Sequence, residues 1–144
     1  MLSRYRLRRR VQFYETDLAG IVHFSWYFRY MEEAEHAMWR HAGLSISKAD
    51  EDYGFPRVAA SFDYKAPLRF EDEFDVLIKV AAMSRRTMRY ACVMTRGETT
   101  IATGGTTIVC ATKKPGEPIK AIAIPPEIAA HFAVDPGAAE EPSS

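Results

Sequence analysis

The sequence predicts an α+β fold of two layers, one long helix laid against a five-stranded antiparallel sheet. Three observations predict it. One stretch, residues 26–42, repeats apolar residues at helical spacing; other stretches alternate apolar with polar residues; and the links between the later strands are too short for parallel crossovers. A chain of 144 residues, 47% of them hydrophobic, suits one core and one domain.

The first strand opens the chain. Tyr5, Leu7, Val11 and Phe13 fall on one side of a two-residue period, with Arg6, Arg8, Arg10 and Gln12 on the other. The arginine-rich, acid-poor start MLSRYRLRRR has the composition of a transit peptide, but its alternation favours a half-buried strand. The next segment, YETDLAGIVHF, holds Gly20 and two acidic residues and suits neither helix nor strand, so it is read as a loop.

The helix follows. Tyr27, Met31, Ala34, Met38 and Ala42 mark its apolar stripe, Ser25 suits the cap, Arg40 and His41 suit the last turn, and Gly43 suits the stop. Its length is about 17 residues, roughly 25 Å. Residues 44–56 read as a polar connection ending in Gly54 and Pro56.

Three alternating series then read as strands: Val58, Ala60, Phe62, Tyr64, Ala66; Phe74, Val76, Ile78, Val80, Ala82; and Met88, Tyr90, Cys92, Met94. A fourth strand, from about Thr100 to Ala111, contains Gly104 and Gly105, which predict a bulge or a close backbone approach. The links Pro67–Asp72, Ser84–Arg86 and Arg96–Thr99 are short enough for antiparallel neighbours. Lys113–Pro118 is a loop, residues 119–124 suit a short extended piece, and Pro125, Pro126 and Glu127 suit the start of a short helix ending near Ala133. The single domain is drawn over residues 1–134, with residues 135–144 expected to be a disordered tail. One helix covers one face of a five-stranded sheet, so the other face and the sheet edge predict a homodimer or homotetramer.

Composition excludes several classes. Lysine and arginine total 19, as do aspartate and glutamate, so there is no positive excess for nucleic acid. No apolar run approaches the ~20 residues that span a bilayer, and the start lacks a secretory signal, which predicts a cytoplasmic protein without membrane contact. Cys92 and Cys110 both lie in predicted strands. A hairpin turning near Gly97–Thr99 puts Cys92 opposite about position 105, roughly 15 Å from Cys110 at ~3.4 Å per residue, so no disulfide is expected. Neither a zinc spacing, a phosphate-binding glycine loop nor a hydroxyl-nucleophile elbow occurs, so no metal and no redox cofactor are expected.

The chemistry concentrates before the helix. Asp17 lies in the loop entering it, and a helix start presents unpaired N–H groups and the positive end of a dipole. Thioester cleavage needs a nucleophile or base beside the carbonyl carbon and donors aimed at the oxygen that becomes negative. Asp17 and the N–H groups near Phe24 and Ser25 are of the right type and order. On the residues alone, a cap or turn role for Asp17 stays open.

The string YETDLAGIVHFSWYFRYMEEAEHAMWR resembles the signature of the 4-hydroxybenzoyl-CoA thioesterase family, with its DxxGIV at Asp17 to Val22, the aromatic Tyr27 and the acid-alanine pair in the helix. The likeness extends weakly from Arg10 to about Ile128, including KPGEPIKAIAIPPEI. It implies a hotdog fold, a sheet wrapped round one long helix, with active sites at a dimer interface and acyl-CoA as substrate. It further implies that Asp17 is the nucleophile or general base, that the Phe24 backbone N–H forms the oxyanion hole, and that coenzyme A enters only as part of the substrate. Leu18 stands where the family commonly has proline, and Phe24 where a bacterial subgroup has histidine, His23 being one position early.

Gly20, His23, Trp26 and Tyr27 are candidates to line the site, and Arg85, Arg86 and Lys120 to hold the coenzyme A phosphates. His23 stays open between a structural and a site role, as the arginines do between phosphate binding and solvation. Related enzymes use a helical glutamate, but Glu32, Glu33 and Glu35 read as a solvated face. A noncatalytic acyl-CoA or acyl-carrier binding module is the alternative, and a hotdog dehydratase is disfavoured because none of the four histidines sits in a recognisable dehydratase context.

Overall fold

The structure is a computed structural model that describes residues 1–138. Its long strands are β1 (Arg4–Arg10), β3 (Arg57–Tyr64), β4 (Glu73–Met83), β5 (Thr87–Arg96) and β6 (Thr99–Val109). They form one antiparallel sheet in the order β1-β4-β5-β6-β3. The helix α1 (Trp26–His41) packs on its inner face.

Tyr27, Tyr30, Met31, Ala34 and Met38 form the buried stripe of α1 and meet Phe74, Val76, Ile78 and Val80 of β4 and Met88, Cys92 and Met94 of β5 in one core. Trp39 and Tyr90 are fully enclosed, and the indole N–H donates to the tyrosine hydroxyl at 2.9 Å, so burying both polar tips leaves neither unpaired. The helix ends as the sequence predicts. Gly43 takes a φ of 81°, its N–H donates to Arg40 and the Leu44 N–H donates to Trp39, which pairs two of the carbonyls of the last turn.

Several expectations need correction. Phe13 is not on the buried side of the first strand: β1 stops at Arg10, and Phe13, 73% exposed, begins a 3-10 turn, Phe13–Glu15. The inward position that alternation leaves to Arg9 is filled by that arginine. The Pro67–Asp72 link does not join sheet neighbours, because β3 pairs with β6 while β4 sits between β1 and β5. A sheet curled round a helix brings its edges together. The chain from Lys65 to Asp72, at ~3.3 Å per residue, easily spans the roughly 14 Å of three strand spacings.

The polar connection holds a two-residue strand, β2 (Tyr53–Gly54), paired with β7 (Ala111–Thr112). Residues 119–124 do run extended alongside, with Ala121 bridged to Ala111 and the Ile122 N–H donating to Cys110. The second helix, α2 (Pro126–Ala129), is shorter than predicted. Gly104 and Gly105 mark a close approach and not a bulge: a Cβ on Gly104 would fall on the Ser61 carbonyl, and one on Gly105 on the Tyr90 carbonyl. Cys92 lies opposite Gly104, and both cysteines are free and buried.

The boundary at residue 134 falls inside packed structure. Asp135 is 2% exposed and takes two hydrogen bonds from the Arg4 guanidinium, at 2.6 and 3.0 Å, and Ala138 is buried. The rest of the predicted tail, 139–144, lies outside the described residues. Among those described, no helix is long and apolar enough to cross a membrane.

Candidate active site

The loop from β1 to α1 is tied at its neck and exposed at its tip. Thr16 and Val22 form a bridge, the His23 N–H donates to the Glu15 carbonyl at 2.9 Å, and the Val22 N–H donates to Leu68 at 2.8 Å. At the tip the Asp17 N–H donates to Ile21 and the Asp17 carbonyl accepts from Gly20, both at 2.9 Å. Gly20 has a φ of 78°, a conformation glycine enters without strain, which explains why this residue closes the turn. The Asp17 carboxylate is exposed. Its Oδ1 accepts the Ala19 N–H at 2.9 Å, and its Oδ2 meets no donor among the described residues.

The helix start supplies the donors. The Trp26 N–H is taken by the His23 carbonyl at 3.0 Å and the Ser25 N–H by His23 Nδ1 at 3.3 Å. The Phe24 N–H donates to no group among the described residues, so of the two predicted donors it is the one left available. The Ser25 hydroxyl is 2.8 Å from His23 Nδ1 instead of capping α1, and the His23 ring lies 4.5 Å from that of Phe24. His23 is therefore a brace at the helix entrance. The Phe24 carbonyl accepts the Tyr64 hydroxyl at 3.1 Å, joining the entrance to β3.

Trp26 and Tyr27 divide between wall and core. Trp26 is partly exposed, set 5.6 Å from the Tyr14 ring, with the Arg29 guanidinium 4.8 Å above it. Tyr27 is buried, and burial pushes its hydroxyl pKa up to about 12, which makes it a neutral core residue.

Arg85, Arg86 and Lys120 are exposed and share one end of the molecule, where the Ile124 N–H donates to Arg85 and the Thr112 N–H to Lys120. It is the end away from Asp17. Arg10, which precedes the loop, pairs with Glu73 at the start of β4, whereas Arg85 follows its last residue, Met83. At ~3.3 Å per residue that separates them by roughly 30 Å within one chain. Exposed cations beside the loop include Lys65 and Arg69 on the link whose Leu68 carbonyl holds Val22.

The helical glutamates are not one solvated face. Glu35 is 1% exposed and held by both terminal nitrogens of Arg57, at 2.8 and 2.5 Å. This pair borders a cavity of about 100 Å³ shared with Phe28, Met31, Ala60 and Thr106. Glu33 accepts from Arg9 at 2.7 Å, and Glu32, the most exposed of the three, lies 3.6 Å from Arg57.

Sequence reasoning missed the cluster under the loop. Glu15 is fully buried; its carboxylate accepts the Tyr30 hydroxyl and the Gln12 N–H at 2.8 Å each, and two Arg9 nitrogens at 3.2 and 2.5 Å. Burial works against the Arg9 charge, but hydrogen bonds to Glu33 and Glu15 outweigh it and hold its pKa above the ordinary value. Burial and the bond to Glu15 likewise raise the Tyr30 pKa. The available signal was Arg9 itself, an arginine in phase with Tyr5, Leu7 and Val11.

One helix clasped by a curled antiparallel sheet, entered through a loop that displays an exposed carboxylate at its tip and leads into a free N–H at the helix start, has the form of a hotdog-fold thioesterase. A sequence profile of the thioesterase-like superfamily matches residues 11–132, and the chain belongs to that family. A curated Aquifex aeolicus protein bearing only a provisional esterase name is 42% identical over 101 residues, covering 69% of this chain and 78% of that protein. A 1,4-dihydroxy-2-naphthoyl-CoA hydrolase of Synechococcus elongatus is 26% identical over 112 residues, covering 76% of this chain and 82% of its own. Among solved structures, a gentisyl-coenzyme A thioesterase superposes with a TM-score of 0.77 at 29% identity, covering 86% of this chain and 98% of that one.

Proposed function

We propose that this enzyme hydrolyses the thioester of a small aromatic or short-to-medium acyl-CoA to the free acid and coenzyme A. The observation that carries the reading is that one short loop holds both an exposed carboxylate, Asp17, and, where it enters the helix, an uncommitted N–H, that of Phe24. Asp17 either attacks the carbonyl carbon or takes a proton from the water that does. The oxygen gains charge and is met by the Phe24 N–H, the carbon–sulfur bond breaks, and coenzyme A leaves as its thiolate. Direct attack leaves an acyl-aspartyl anhydride that water then hydrolyses. No step calls for a bound cofactor or metal.

Aromatic acyl groups rank first because the named relatives act on 1,4-dihydroxy-2-naphthoyl-CoA and gentisyl-CoA. Membership of the narrower 4-hydroxybenzoyl-CoA thioesterase family, implied by Asp17 to Val22, belongs to the same proposal. Trp26 and Phe24 would line the acyl site beside Gly20 and His23.

The enzyme acts in the cytoplasm as a homodimer or homotetramer. Support comes from the free edge of β3, where Val58 is 62% exposed, and from Phe13, Tyr14, Leu18 and Phe24 uncovered round the loop. Because Arg85, Arg86 and Lys120 lie far from Asp17 in their own chain, they would hold the phosphates of coenzyme A bound at the loop of a second copy. Thiol release from a panel of aromatic, short and long acyl-CoAs tests the reading. Turnover of one class is expected; binding of acyl-CoA with no hydrolysis of any would leave a binding module in its place.

A further inference from the structure

Glu15 has no part in the chemistry just described, yet no other acidic side chain of the loop is buried. It joins three elements. Arg9 comes from β1, Gln12 from the cap of the 3-10 turn, and Tyr30 from α1, one turn past Trp26. Its backbone is committed as well: the Glu15 carbonyl accepts the His23 N–H, so the same residue stands at the root of both arms of the loop. Between those arms lie Asp17 on one side and Phe24 just beyond the other.

A buried carboxylate is a costly way to hold a turn, and a neutral or apolar residue serves a merely structural need at least as well. What the Glu15 carboxylate adds is direction. Its oxygens take four hydrogen bonds from three elements, which leaves the loop root one placement relative to the helix. An error of an ångström between nucleophile and oxyanion donor lowers turnover sharply without abolishing binding.

We infer that Glu15, gripped by Arg9, Gln12 and Tyr30, is a positioning residue that sets the Asp17 carboxylate against the Phe24 N–H. The inference rests on the proposed role of Asp17. It makes Glu15 act through Asp17, so its effect must disappear when Asp17 is disabled.

The test is a double-mutant cycle in the full-length enzyme, measured by thiol release on the acyl-CoA that it turns over. Glu15→Gln keeps the shape and removes the charge. In the wild-type background kcat should fall at least tenfold with KM within about twofold; in the Asp17→Asn background the same change should cost less than twofold. Tyr30→Phe, which removes one of the four hydrogen bonds, should show a smaller kcat loss of the same pattern, and it serves if Glu15→Gln does not fold. An equal fall in both backgrounds, a change confined to KM, or a lowered melting temperature with normal kcat would overturn the inference. Failure of the underlying reading looks different, because Asp17→Asn alone would then leave kcat intact.

Discussion

The hydroxyl of Tyr64, on edge strand β3, donates to the carbonyl of Phe24 at 3.1 Å across forty residues of chain. It fastens the entrance of α1 to the sheet edge, next to the peptide whose N–H is proposed to meet the oxyanion. Tyr27 packs edge-on against the same ring, with centroids 4.9 Å apart, so the ring has its own reason to stay in place without the hydroxyl.

Tyr64→Phe therefore isolates the hydrogen bond. The ring is retained and Tyr64 is 46% exposed, so stability should change by less than about 1 kcal/mol. The turnover rate should fall by roughly three- to tenfold as the Phe24 peptide loosens. Steady-state kinetics beside a thermal melt separates the two effects, and an unchanged kcat would remove Tyr64 from the account.

Gly104 predicts a different kind of failure. Its added Cβ would land on the Ser61 backbone carbonyl, which β3 cannot move without leaving β6. Gly104→Ala should cost about 1–3 kcal/mol, which for a chain of this size is a fall of roughly 3–10 °C in melting temperature. A variant that melts with the wild type would mean that the β3 edge yields easily.

Asp135 predicts pH dependence. The hydrogen bonds from Arg4 hold its pKa below the ordinary value, with burial opposing. A group whose pKa is lowered by folding stabilises above its unfolded value and loses that contribution as pH falls through the folded one. Asp135→Asn should melt a few degrees below wild type at pH 7, and the gap should close as pH drops below about 3.9. Melts from pH 7 to 2.5 decide this. A gap that persists in acid would show that packing, and not charge, fixes this end of the chain.

Much of the fold was legible because periodicity reports burial directly. Phe74, Val76, Ile78 and Val80 alternate because each second side chain of β4 faces the core, and Tyr27, Met31, Ala34 and Met38 repeat because one stripe of α1 does. Strand order was not legible. Short links suit antiparallel neighbours, but Lys65–Asp72 joins opposite regions of a sheet that curls, and curvature leaves no local mark.

Within the candidate site, Gly20 and the start of α1 have local signatures, a turn glycine and a helix entrance, whereas the role proposed for Asp17 came from the resemblance. The Glu15 cluster has no such signature, since its partners Arg9 and Tyr30 lie in other elements and only the out-of-pattern Arg9 hinted at a buried acid. Arg85 and Arg86 were drawn toward the site by resemblance, and strand direction places them at the far end of β4.

The central claim is that the Asp17 carboxylate drives the reaction. Asp17→Asn keeps size and loses the charge, while its side-chain oxygen can still accept the Ala19 N–H, so the loop should hold its form. On the best acyl-CoA of the panel, kcat should fall on the order of a hundredfold or more, a scale typical of losing an acid-base group, with the melting temperature little changed. A variant that hydrolyses the substrate at the wild-type rate would reduce Asp17 to a turn residue and contradict the account.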